Sequence, residues 1–162
     1  MVIIIMGVSG SGKTTIGKLL GNKLNLPFYD ADDFHPRNNI EKMAKGLPLN
    51  DIDRRPWLEE LGKQIKTWES AGGAVLACSA LKKNYRKRLI TIPKHAIHFV
   101  FLSGAFNLIK ERLSTRKNHF FDEKLLQSQF DTLEIPTNAF KVTITETPEQ
   151  IVDRIIEYLR PF

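Results

Sequence analysis

Three groups of residues in this chain have side chains suited to moving a phosphoryl group. The first is Gly7-Val8-Ser9-Gly10-Ser11-Gly12-Lys13-Thr14, a Gly-x4-Gly-Lys-Thr run continued by Thr15. Glycines at this spacing let consecutive backbone N–H groups turn inward around a phosphate. Lys13 then reaches the β- and γ-phosphates of a nucleotide such as ATP, and the Thr14 hydroxyl ligates Mg²⁺. Thr15 falls near the α-phosphate. The second group is acidic: Asp30, Asp32 and Asp33. An acid beside a phosphate loop can accept the proton of an attacking hydroxyl and help to hold Mg²⁺. Asp32 is the candidate base and Asp30 the candidate metal ligand, while Asp33 suits the cap of a following helix. The third group is cationic. Lys82, Tyr85 and Arg86 share a helix face at i, i+3 and i+4. Arg112 and Arg116, one turn apart, share another. A bidentate arginine suits a carboxylate, so Arg86 with Lys82 and Tyr85 is a candidate acid-binding face. Arg112 and Arg116 are candidate cations for the transferring phosphoryl group, and Arg112 for the nucleotide.

These side chains need a frame that brings them together. The run "VIIIM" before the loop reads as a buried strand, and residues 13–24 follow as a helix with Ile16, Leu19, Leu20 and Leu24 on one side. A short strand over 27–32 ends in the acids. Pro36 starts a helix that runs through Lys45 and stops at Gly46. Residues 46–53 read as a loop. A core-facing helix over 55–70 aligns Trp57, Leu58, Leu61, Ile65 and Trp68. Strands are expected over 74–78, 97–103 and 141–145, with helices to about 91, over 105–116 and over 122–133. The last helix opens with Thr147, Pro148 and Gln150, a capping box. Five apolar runs without strict alternation, separated by helices, predict a parallel sheet covered on both faces. The polar stretch beyond Arg112, over about 112–134, is expected to form a lid, with Lys117, Asn118 and His119 on it and Phe120 and Phe121 anchoring its return. The loop Glu146–Pro148 is expected to border the nucleotide base.

The chain has 162 residues, 42% of them hydrophobic and 26% charged, which predicts one domain with a real core. Its single cysteine, Cys78, allows no internal disulfide and fits a reducing, cytoplasmic setting. No run approaches the roughly 20 apolar residues of a membrane span. The net charge of +6 fits anionic ligands. The basic residues gather near the expected site mouth with few aromatics between them, so nucleic acid is not the expected partner. A guanine-reading Asn/Thr-Lys-x-Asp motif is missing after the late strand, and "AVLACSA" ends in Ser79 where a motor ATPase carries an acid. A small-molecule kinase remains. His95, His98 and Cys78 read as packing residues.

The segments "MGVSGSGKTT", "DADDFHPRNNIEKMAKGLPLNDIDRRPWL", "ACSALKKNYRKRL", "RKNHF" and "SQFDTLE" together closely resemble the gluconokinase family, from about Met6 to Ile135. That resemblance implies ATP-dependent phosphorylation of D-gluconate to 6-phosphogluconate. It also implies a three-layer fold similar to nucleoside monophosphate kinases and shikimate kinase, with a helical lid and a homodimer. It places Arg54, in "DIDRRPWL", in the substrate region. His35, directly after the acids, is a candidate contact for a substrate hydroxyl or a residue that orients Asp32. Where the family usually reads Asp-Gly-Asp, this chain has Asp30-Ala31-Asp32, a change that strains the backbone only if φ there is positive. Shikimate kinase, the nearest alternative, carries three glycines after the third strand; this chain has Gly72-Gly73 before it.

Overall fold

The structure is a computed structural model that describes residues 1–116 and 122–162. The expected lid residues Lys117, Asn118, His119, Phe120 and Phe121 lie outside the described residues. Five strands, β1 (Val2–Met6), β2 (Phe28–Asp30), β3 (Ala74–Ala77), β4 (Ile97–Ser103) and β5 (Phe140–Thr143), form one sheet in the order β2-β3-β1-β4-β5. Every pairing is parallel. The helices are α1 (Lys13–Leu24), α2 (Arg37–Ala44), α3 (Asp51–Ser70), α4 (Lys83–Leu89), α5 (Phe106–Ser114), α6 (Glu123–Thr132) and α7 (Pro148–Leu159).

The centre of the sheet follows from "VIIIM". All five side chains of β1 are fully buried. Val2, Ile4 and Met6 join Trp57, Leu61 and Ile65 of α3 on one face. Ile3 and Ile5 join Ile16 and Leu20 of α1 and Ile155 of α7 on the other. A strand covered on both faces has no polar side to alternate with, hence the unbroken apolar run. The chain leaves β1 toward one edge of the sheet and β3 toward the other. The connections therefore diverge between these two neighbours and open a crevice at their carboxyl ends.

Most boundaries shift by a residue or two, and three differences from the sequence reading bear on the site. The third helix begins at Asp51, four residues before the expected 55. Asn50 accepts from the Asp53 amide at 2.8 Å, and Asp53 accepts from the Asn50 amide at 2.9 Å. This reciprocal cap fixes the start and leaves Pro56 inside the helix, where it lacks one donor. The second strand ends at Asp30, because residues 31–34 wind into a 3₁₀ turn. Pro36 caps α2 instead of occupying its first position. The Thr147–Gln150 box of α7 forms as read. Among the described residues no helix is long and apolar enough to cross a membrane.

Candidate active site

The loop between β1 and α1 is built by its backbone. Gly10 and Gly12 take φ of 78° and 97°, and a side chain on Gly10 would meet Leu113 at 2.7 Å. Both positions therefore need glycine. Lys13 folds back over the loop, donating from Nζ to Gly7 O and Val8 O at 3.0 Å each. Burial lowers its pKa, and the carboxylates of Asp32 and Asp30 partly offset this. Ser9, Gly10, Gly12, Lys13, Thr14 and Thr15 line a cavity of about 530 Å³, together with Asp30, Asp32, Ser79, Arg116 and Gln129. The ends of β1, β2 and β3 thus bring loop and acids to one hollow, where the diverging connections put it.

The two acids differ in use. Asp30 caps the 3₁₀ turn, its Oδ1 accepting from the Asp32 amide at 3.0 Å. Asp33 does not cap the following helix, since α2 has Pro36 at its cap with no side-chain bond. Ala31 lies within that turn and is not among the residues with positive φ, so alanine in place of the family's glycine is unstrained. The Asp32 side chain is 84% accessible, but what it meets is the confined cleft. Loss of bulk hydration raises its pKa, Asp30 raises it further, and Lys13 pulls it down. A carboxylate raised toward neutrality is a better proton acceptor near neutral pH.

His35 stands behind Asp32 and away from the cleft. Its side chain is only 4% accessible and stacks on Trp57 with centroids 4.3 Å apart. Trp57, expected only in the core, has that stacking role as well, and its Nε1 donates to Ala31 O at 2.7 Å. Burial, then Arg54, lowers the His35 pKa to about 4, so the ring is neutral. The buried Asn39 amide donates from Nδ2 to His35 Nδ1 at 3.2 Å and to Asp53 O at 2.8 Å. With Nδ1 accepting, the ring proton sits on Nε2, which faces Asp32 Oδ1 across 4.0 Å.

The cationic face divides. Lys82, just before α4, pairs with Asp51 at 3.2 Å, and the Tyr85 hydroxyl donates to the same carboxylate. Arg54 donates to Leu49 O and lies over the Tyr85 ring, 5.4 Å from its centroid. These three gather at the start of α3. Arg86 does not join them. Its guanidinium donates to Ala80 O at 2.8 Å, Leu81 O at 3.0 Å and Glu134 O at 2.9 Å. The spacing that put Arg86 beside Lys82 was correct for the backbone, but the side chain turns inward. There it holds Ala80, which sits at a φ of 45°, and ties the loop after β3 to the end of α6.

The two arginines expected over the phosphates also part. Arg112 donates to Ile144 O at 2.6 Å and lines a second cavity of about 300 Å³ with Thr15, Glu146 and Pro148. Arg116 lines both cavities. Arg112 thus belongs to the smaller cavity, and Arg116 stands where the two cavities meet. Cys78 is buried with its thiol pushed up to about 12, which fits packing.

Comparison with known proteins decides the family. The chain is 40% identical to the thermoresistant gluconokinase of Escherichia coli over 164 residues, covering 98% of this chain and 93% of that one. It is 44% identical to a probable gluconokinase of Dictyostelium discoideum over 174 residues, 99% of this chain and 86% of that one. The chain belongs to the gluconokinase family. The crystal structure of a gluconokinase from Sinorhizobium meliloti superposes with a TM-score of 0.89 at 37% identity, covering 99% of this chain and 91% of that one. A family model for shikimate kinase also matches residues 9–160, so the gluconokinase-family chain shares that wider family's P-loop kinase fold. Three residues of this site were not singled out by spacing: Asn39, Asp51 and Gln129. All three lie within the segments that resemble the gluconokinase family, and Asn39 falls one turn after His35. Asp51, weighed only as a partner for Arg54, pairs with Lys82, and Gln129 meets the Ser9 amide, partners too distant in sequence for spacing to show.

Proposed function

We propose that the chain transfers the γ-phosphoryl group of ATP to the primary hydroxyl of D-gluconate, giving 6-phospho-D-gluconate and ADP. The observation that carries this reading is that Lys13 and Asp32, a phosphate cation and a proton acceptor, line one cavity in a gluconokinase-family chain. In this reading the loop of residues 7–15 and the Lys13 ammonium bind the phosphates. Asp32 takes the proton as the hydroxyl oxygen attacks phosphorus, and the bond from phosphorus to the ADP oxygen breaks in line. Arg116 stabilises the charge spreading over the equatorial oxygens. Arg112 lies against the base. Lys82, Arg54 and Tyr85 receive the carboxylate and hydroxyls of the acid, Asp51 giving way to the substrate anion. His35 and Asn39 orient Asp32.

The Thr14 hydroxyl and the Asp30 carboxylate are hard oxygen donors in the same cavity, which suits Mg²⁺, an ion usually held by one or two protein oxygens and the phosphates. When bound, that ion neutralises phosphate charge. We take the chain to act as a homodimer, the state its family resemblance implies; a monomeric mass by light scattering contradicts that part. ADP release measured with gluconate, shikimate and nucleoside monophosphates tests the whole. Turnover is expected with gluconate. Turnover with another acceptor and none with gluconate overturns the assignment.

A further inference from the structure

The contact between Gln129 and the phosphate loop has no part in the mechanism above. Gln129 sits on α6, and its Oε1 accepts a hydrogen bond from the Ser9 amide at 2.6 Å. We propose that Gln129 makes this site discriminate a nucleoside triphosphate from a diphosphate, by holding the one loop amide that only a terminal phosphate reaches.

The direction in which a nucleotide must lie follows from the two cavities. Gly10, Gly12 and Thr15 border both cavities, and the smaller one continues to Arg112, Glu146 and Pro148, the base side. Ser9 borders only the larger one, with Asp32 and Asp30. The Lys13 ammonium, which serves the β- and γ-phosphates, rests on Gly7 O and Val8 O, the two peptide units before the Ser9 carbonyl. The Ser9 amide therefore lies at the γ end of the loop. Two phosphates anchored from the base side end short of it, and a third reaches it.

An amide oxygen and a phosphate oxygen are both acceptors, and one N–H serves one of them well. The terminal phosphate must therefore displace Gln129. It can do so because a hydrogen bond to a charged oxygen is roughly twice as strong as one to a neutral oxygen. The exchange needs only a side-chain rotation. The body of α6 is anchored independently by buried Leu126 and by Phe130, which packs edge-on to Phe106 with centroids 5.3 Å apart. A diphosphate leaves the Gln129 bond in place and meets no such competitor.

This inference rests on the nucleotide-donor reading above, and calorimetric titration separates the two. ADP and the imido analogue of ATP are titrated into wild type, Gln129→Met and Gln129→Glu. Methionine keeps the length and removes the acceptor. A net hydrogen bond of about 0.5–1.5 kcal/mol corresponds to about two- to tenfold, so Gln129→Met is expected to bind the triphosphate about two- to tenfold more tightly and ADP unchanged. In Gln129→Glu a carboxylate holds the Ser9 amide and repels phosphate, and triphosphate affinity falls about tenfold or more with ADP affected less. In wild type the Ser9 amide resonance moves on adding the triphosphate and stays with ADP. Equal shifts for both nucleotides in either variant, weaker triphosphate binding in Gln129→Met, or a Ser9 resonance that ADP also moves overturns the proposal. Wild type that binds neither nucleotide removes the donor reading, and this proposal with it.

Discussion

The proposed donor and acceptor sides of the cleft are built in opposite ways. The donor side is backbone: nine consecutive residues, glycines at positive φ, and a lysine held by the loop's own carbonyls. The acceptor side is side chains from separate elements, each already partnered. Lys82 and Tyr85 hold Asp51, Arg54 holds Leu49 O, and His35 is wedged between Trp57 and Asn39. The loop's backbone is shaped for a phosphate before one arrives, even though the Ser9 amide is held by Gln129 until then. A cluster of paired charges must exchange an internal anion for the substrate's, and that exchange is where selectivity for an acid can arise.

The sharpest way to break this division is at Asp32, where the two sides meet. Asp32→Asn is expected to keep ATP binding and lose about 10²–10⁴-fold in kcat. Because the folded pKa of Asp32 is raised and the base must be ionised, wild-type activity should rise with pH through a value above the usual carboxylate range. Steady-state rates across pH check both, and an unchanged kcat reassigns the base. Next in size is Arg86→Ala. Three carbonyls, those of Ala80 and Leu81 buried and that of Glu134 part-buried, lose their donor, so stability should fall by about 3 kcal/mol in urea unfolding. The KM for gluconate of the folded fraction should stay within about twofold, in contrast to a residue that touches the acid. Lys82→Ala should raise the KM for gluconate about tenfold, as expected for one charge-assisted hydrogen bond, and leave that for ATP unchanged. An equal rise for both substrates would erase the division.

The remaining effect is on stability against pH. The His35 pKa in the folded chain is about 4 against an ordinary value near 6.5. Between these values the unfolded chain binds more protons, so stability should rise as pH rises from 4 to 6.5. His35→Gln should flatten that rise in urea midpoints measured across the window.

The same division explains what could be read without coordinates. The P-loop is contiguous, and its pattern states the backbone geometry directly. The buried stripe Trp57, Leu58, Leu61, Ile65 and Trp68 was equally legible, since helical periodicity is local. The strand order was not, because no local signal says which strand lies beside β1. The start of α3 was missed because its apolar stripe begins only at Trp57, while Asn50 and Asp53 set the cap earlier. Arg86 shows the limit most plainly. Spacing gives a side chain's helix face, but the carbonyls of Ala80 and Glu134 decide whether it turns outward or inward, and Glu134 is distant in sequence. Asp51 and Gln129 stayed hidden for the same reason.

The central claim is that the donor loop and Asp32 serve transfer to the primary hydroxyl of gluconate. Phosphorus NMR of a reaction holding the chain, ATP, Mg²⁺ and gluconate tests it most directly, because a monoester on a CH₂ group is split by two protons. The account predicts such a triplet growing with ADP in wild type and nearly absent in Asp32→Asn. A doublet from a secondary alcohol, or inorganic phosphate alone, would contradict it.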